Sequence, residues 1–228
     1  IMQLAGYKEH LFDGKIWPQA PEEWALEVPL GLCDDPVNQA QMPLVVSFSE
    51  NGHHAFCGMI VSGKSTLLQT LFYGIIHKYA PDYVNLYAID FSSHMLSAFE
   101  HAPHTGGVIY EDDQEKMNKF FHMMEQMLEE RKKLFKGGNY SQYVRANGIK
   151  VPAVIVAIDN YANFREKTDN KYEDVVLHLA HDGVGYGIFL AITAGGFGSS
   201  EIQSKVGDNI KTVLCLQMND KFQYADAM

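Results

Sequence analysis

Gly58-Met-Ile-Val-Ser-Gly63-Lys64-Ser65 fits the pattern G-x-x-x-x-G-K-[ST] of a phosphate-binding loop. The pattern constrains the fold because its chemistry works only between a strand and a helix. Consecutive backbone N–H groups wrap an anion, and the helix that follows adds the positive end of its dipole. The flanks supply both elements. His53-His-Ala-Phe-Cys57 is a short, largely apolar run suited to a buried strand. After the loop, Leu67, Leu68, Leu71, Phe72, Ile75 and Ile76 recur at helical spacing. In this arrangement Gly58, Ser62, Gly63 and Thr66 form the cradle, Lys64 reaches the outer phosphates, and the Ser65 hydroxyl holds Mg²⁺. Val61 stands where many such loops carry glycine, and a β-branched residue at positive φ is strained. A second reading therefore stands beside nucleotide binding: a vestigial loop that keeps the fold while bulky side chains close the pocket.

The rest of the chain alternates strand and helix. Strands are predicted at Leu44–Phe48, Val84–Ile89, Gly107–Tyr110, Val154–Ile158, Ile188–Thr193 and Val213–Gln217, with a shorter one within Val28–Cys33. Glu50-Asn-Gly52 reads as a hairpin turn. Helices are predicted over Asp112–Phe135, Tyr140–Ala146 and Tyr172–Ala180, with Gly137-Gly138 stopping the first of these. The pattern is that of an α/β domain of the RecA-like phosphate-loop class, a mainly parallel sheet with helices on both faces. Val154–Ile158 is the most apolar run and is placed at the centre. Residues 1–43, with Pro18, Pro21, Pro29, Pro36 and Pro43, read as an extended segment on the sheet edge, and 44–228 as the core domain. Both ends look cut, so a longer parent protein is expected.

Ligands of such sheets bind beyond the carboxyl ends of the strands. Asp90, Asp159 and Thr193 all stand there. Asp159 follows the most apolar strand, where an acid coordinates Mg²⁺ through water; its alternative is a helix N-cap. Asn160 occupies the place of the glutamate that would polarise attacking water, and an amide is not basic near neutral pH. No catalytic residue is assigned, and hydrolysis is expected to be weak or absent. Asp90 reads equally as a further acid or a turn residue. Thr193 is a weak candidate for sensing the outermost phosphate. The pairs His101/His104 and His178/His181 have metal-like spacing but lack further ligands nearby, so ordinary loop and helix histidines are expected. Asn160–Phe164 reads as an aromatic turn.

Net charge is −10, and arginine is limited to Arg131, Arg145 and Arg165. That argues against a duplex-DNA surface, which needs clustered cations, and leaves a DNA translocase the most distant reading. The run Arg131-Lys132-Lys133 reads as a solvated helix end complementing the dipole. Cys33, Cys57 and Cys215 form no C-x-x-C pair.

Together these residues resemble the FtsK/SpoIIIE family of motor ATPases, and within it the later, degenerate ATPase domains of the EssC/EccC type of type VII secretion ATPase. The resemblance is carried by Gly31–Gln39, Gly63–Leu71, Ala88-Ile-Asp-Phe91, Ala102-Pro-His104 with Gly107, Glu129–Phe135, Val151-Pro152 leading to Ile158–Tyr161, and Gly185–Leu190. It implies ATP and Mg²⁺ as ligands. It also implies a cytoplasmic domain of a membrane-anchored chain with further ATPase domains, secreted helical-hairpin substrates and a ring assembly. No arginine finger carries over. Asn160, Val61 and the Thr193 tip depart from the active pattern, which implies a regulatory domain. An active ATPase positioning water with Asn160, and an interaction module that binds substrate tails, remain as alternatives.

Overall fold

The computed structural model describes residues 11–19, 24–219, 221–225 and 227. Residues 1–10, Pro21 and the last residue of the chain lie outside them. Strands β1 (Glu27–Asp35) and β2 (Ala40–Ser47) form an antiparallel hairpin, followed by a one-turn helix α1 (Phe48–Asn51). Then come β3 (His54–Cys57), α2 (Lys64–Lys78), β4 (Val84–Asp90), β5 (Thr105–Tyr110), α3 (Gln114–Phe135) and α4 (Tyr140–Asn147). The remainder comprises β6 (Ala153–Asp159), α5 (Tyr161–Lys167), α6 (Glu173–Asp182), β7 (Ile188–Ala194), α7 (Ser204–Gly207), β8 (Thr212–Cys215) and α8 (Lys221–Ala225).

The main sheet has six strands in the order β5-β4-β6-β7-β3-β8, and every pair within it is parallel. All seven residues of β6 and all seven of β7 are buried, as the inner strands of a sheet covered on both faces must be. One face packs against α3, α5 and α6, through residues such as Phe121, Phe164 and Leu179. The other packs against α2, through Leu68, Leu71, Phe72 and Ile75. Helices on both faces of a parallel sheet are thus observed, with β6 at the centre.

Four local expectations need correction. Among the described residues, the N-terminal segment does not lie along a sheet edge. It is a hairpin on α2, where Leu26, Val28 and Leu30 join the α2 cluster and Lys78 pairs with Glu27 at 3.1 Å. The turn at residues 50–52 is the end of α1, closed by Gly52 at φ 71°. Val213–Gln217, which reads from the sequence as a buried strand like Ile188–Thr193, falls on the half-buried edge strand β8, half-buried because it pairs with β3 alone. The aromatic turn is the first part of α5, with Tyr161 and Phe164 one helical turn apart and both buried.

Arg131 also departs from its expected role. It is 4% exposed rather than solvated. Its guanidinium donates to the carbonyls of Tyr186 (2.7 Å), Gly187 (3.1 Å) and Pro152 (2.7 Å), locking α3 to the start of β7. Burial lowers its pKa to about 10. Lys132, its neighbour, does sit at the surface and pairs with Glu129 and Asp182. His101 is exposed, whereas His104 is buried against the Tyr79 carbonyl; His178 and His181 are exposed. No group of three potential ligands gathers for a metal among the described residues.

Candidate nucleotide site

The loop between β3 and α2 is built as its spacing requires. Gly63 caps α2 at φ 98°, ψ 14°, with open space around it and no side chain capping the helix. Gly58 permits a close approach: a Cβ there would collide with Ser62 Oγ and lie 3.0 Å from Leu216 Cβ. The start of the loop is strapped to its neighbours, Gly58 N donating to Ala194 O at 3.1 Å and Met59 N to Gln217 O at 2.8 Å. Val61 holds the strained conformation expected of it, at φ 66°. Its side chain is 96% exposed and that of Ile60 85% exposed. Both residues are among those lining a cleft of about 910 Å³, which stays open beside them.

Lys64 Nζ donates to Gly58 O (2.6 Å) and Met59 O (2.9 Å), so the ammonium rests over the loop it is meant to serve. Burial lowers its pKa, while Asp159 and Glu201 act to keep it charged. Ser65 Oγ donates to Asp159 Oδ2 at 2.7 Å. Thr193 Oγ1 donates to the other oxygen, Oδ1, and itself accepts from Asn160 N at 2.8 Å. The tips of β6, β7 and α2 are therefore joined through one carboxylate. Asp159 is 1% exposed, and burial raises its pKa above the usual carboxylate range, opposed by the hydrogen bonds from Thr193 and Ser65. The Thr193 hydroxyl is committed to Asp159 rather than aimed at a phosphate.

Asp90, beside Asp159 in the β4–β6 register, resolves into a turn residue. It is fully buried and accepts from the N–H groups of Ser92, His94 and Leu96 at 3.1–3.2 Å. That shapes the loop from which Phe91, Ser92, Ser93 and Met95 line the cleft. Asn160 lies in the left-handed region, at φ 63°, ψ 68°. Its side chain accepts from Asn163 N at 3.4 Å and so caps α5. Asparagine suits that backbone better than most residues do.

The residues present fit a nucleotide phosphate. Ser62 Oγ is buried with no hydrogen-bond partner. The first turn of α2 has no side-chain cap, so its N–H groups remain available to an anion. Ser65 and Asp159 are the pair that would hold Mg²⁺, which when bound neutralises phosphate charge. Thr66, on the same turn, also lines the cleft. Sequence reasoning missed two lining carboxylates, Glu166 on α5 and Glu201 on the loop after β7. The only hint of Glu201 was its place just beyond a Gly/Ser-rich strand tip, Gly195–Ser200.

Comparison with known proteins agrees with this geometry. The model of the FtsK/SpoIIIE family matches residues 18–224. The chain is 29% identical over 219 residues to the type VII secretion system protein EssC of Staphylococcus aureus, covering 93% of this chain and 14% of that protein. It is 32% identical over 187 residues to the ESX secretion system protein EccC of Geobacillus thermodenitrificans, covering 81% of this chain and 12% of that one. The chain thus spans about a seventh of the relatives' length or less. Among solved structures, ATPases 2 and 3 of EssC from Geobacillus thermodenitrificans superpose with a TM-score of 0.81 at 28% identity, over 92% of this chain and 40% of that one. ATPases 2 and 3 of Thermomonospora curvata EccC, in complex with a signal sequence peptide, give 0.81 at 27% identity, over 88% and 38%. With a phosphate loop, an acid at the tip of β6 and the family model spanning nearly all of it, the chain belongs to the FtsK/SpoIIIE family.

Proposed function

We propose that this chain is an ATP-binding regulatory domain of a membrane-anchored type VII secretion motor, with weak or no hydrolysis. The observation that carries the reading is the contrast at the tip of β6. Lys64, Ser65 and Asp159 are gathered at one crevice, while the next residue, Asn160, is an amide engaged in capping its own helix. On this reading Lys64, Ser65 and Asp159 would hold phosphate and Mg²⁺, and position 160 offers no carboxylate to activate water. Loss of a general base lowers a rate by about 10²–10⁴. The similarity to ATPases 2 and 3 of EssC and EccC supports placement among the later ATPase domains. Other ATPase domains of the same chain, in a ring, are the first partners on this reading. A secreted helical-hairpin substrate is the second, supported by the signal peptide bound to the Thermomonospora curvata relative. No DNA partner is expected of a chain with net charge −10.

The test is calorimetric titration with Mg·ATP beside a phosphate-release assay. Binding lost in Lys64→Ala, with turnover far below the ~1–10³ s⁻¹ common for enzymes, supports the reading. Robust turnover by the unaltered chain overturns it in favour of an active ATPase. No binding at millimolar nucleotide marks the loop as vestigial.

A further inference from the structure

β7 lies between the strand carrying Asp159 and the strand entering the phosphate loop. What stands at the tip of β7 faces the end of the loop that Lys64 serves. The first residue past β7 is Gly195, whose N–H donates to Glu201 Oε2 at 2.8 Å. A Cβ on Gly195 would lie 3.0 Å from Oε2 and 3.1 Å from Oε1, so the carboxylate lies flat across the tip. The tip in turn is strapped to the loop through Ala194 O and Gly58 N. Glu201 is held in place by its own backbone, with Glu201 N and Ile202 N both donating to Gly198 O and Ile202 1% exposed beneath it. It lines the same cleft as Gly63, Lys64 and Ser65.

We propose that Glu201 stands in for the outermost phosphate, so that this crevice holds a nucleoside diphosphate in preference to the triphosphate. The proposal rests on the nucleotide-binding reading above and deepens it. A backbone N–H at a strand tip beside the loop is an anion-seeking donor, and here an internal anion already satisfies it. Among the described residues lining the cleft, the charged groups are Lys64, Glu166 and Glu201, one cation against two carboxylates. A Mg·triphosphate brings one more negative charge than a Mg·diphosphate and brings it to the Lys64 end. It must displace Glu201 from Gly195 or lie beside it, in a partly desolvated cleft where like charges repel strongly. A diphosphate leaves that contact intact. Neutralising residue 201 therefore removes a penalty specific to the third phosphate.

The experiment is calorimetric titration of Mg·ADP and Mg·ATP into the unaltered chain, Glu201→Gln and Glu201→Lys, with thermal melts to verify folding. Glutamine keeps an acceptor for Gly195 N–H and the same size, so the fold is expected to persist. The unaltered chain should bind Mg·ADP at least about tenfold more tightly than Mg·ATP. Glu201→Gln should tighten Mg·ATP by about tenfold while leaving Mg·ADP within about twofold. Glu201→Lys should tighten Mg·ATP further, an ordering by charge that a merely structural role does not produce. Equal affinities for both nucleotides, unmoved by either substitution, overturn this proposal and leave nucleotide binding standing. Unchanged Mg·ATP affinity with a fall in phosphate release in Glu201→Gln also overturns it, and marks Glu201 as a base. Binding of neither nucleotide by any of the three proteins overturns the nucleotide reading and this proposal with it.

Discussion

Replacing Asn160 by glutamate restores the acid that active relatives of this fold are expected to carry, and the structure predicts that the repair fails. Residue 160 sits at φ 63°, ψ 68°, in the left-handed region. That region costs most L-residues about 1–2 kcal/mol, and asparagine visits it more readily because its short side chain bonds locally. Glutamate also forfeits the α5 cap. The cap is a long contact of 3.4 Å to Asn163 N, so its loss is set at the low end of the usual range, about 0.5 kcal/mol. The added charge lies next to Asp159, already disfavoured in its ionised form by burial. Together these destabilise Asn160→Glu by about 2 kcal/mol, a fall in Tm of about 4–8 °C for a chain of this size. Phosphate release at saturating Mg·ATP should rise by less than about tenfold, against the ~10²–10⁴ that a well-placed general base supplies. The paired measurements are a thermal melt and a phosphate-release assay, with Lys64→Ala in the Asn160→Glu background as the control for contaminating ATPase. An unchanged Tm together with a gain of about a hundredfold, abolished by the control, refutes the reasoning.

Three further outcomes follow from the same residues. Val61→Gly removes a left-handed valine whose side chain is 96% exposed, so no burial is lost. Relief of about 1–2 kcal/mol exceeds glycine's entropy cost of about 0.5–1 kcal/mol, and Tm should rise by a few degrees; a fall contradicts the strain. Asp159→Asn should raise the Tm of the metal-free protein at neutral pH while abolishing stabilisation by Mg·nucleotide. The sign follows from burial: a carboxyl whose folded pKa is raised contributes stability below its unfolded pKa and loses it as pH rises through the folded value. A lower Tm in Asp159→Asn sinks this account. His53 and His54 are held neutral by burial with pKa values of about 4, so their stability is complete above the unfolded value near 6.5 and is lost as pH falls toward 4. Unfolding free energies from urea titrations at steps from pH 7 to 4.5 should decline, at a slope reaching about 1.4 kcal/mol per pH unit for each histidine below about pH 6, and a flat profile excludes their role.

The phosphate loop and the inner strands were legible because local pattern and tertiary role coincide there. A parallel strand covered on both faces reads as an unbroken apolar run, and residues 153–158 of β6 are one. Elements whose role is set by distant partners were not. Whether Val213–Leu216 lies inside the sheet or at its edge depends on which strand β3 pairs with, and nothing local encodes that. Arg131 reads as a helix-end cation like Lys132, and only the return of the chain at Pro152 and at Tyr186–Gly187 supplies the three carbonyls that bury it. α5 was obscured by its length, seven residues, too few for an apolar period to emerge from two aromatics.

The candidate site divides along the same line, and the division bears on function. Lys64, Ser65 and Asp159 were found because each follows a pattern tied to its own strand or helix. Glu201 was not, because it is brought to the cleft by the loop after β7 and held at Gly195 by a contact the sequence cannot express. Asn160 shows the converse. Its identity reads as a catalytic defect, but its conformation gives it a positive structural task, since it caps α5 at a backbone angle that favours asparagine. A residue selected only for the loss of a carboxylate need not satisfy that angle or cap the helix. The joined tips of β6, β7 and α2 fit the proposed reading, in which nucleotide is held more readily than it is turned over. Release of strain at Val61, of charge at Glu201 or of the cap at Asn160 should each shift occupancy or stability by a measurable amount, and none of them alone should produce a fast ATPase.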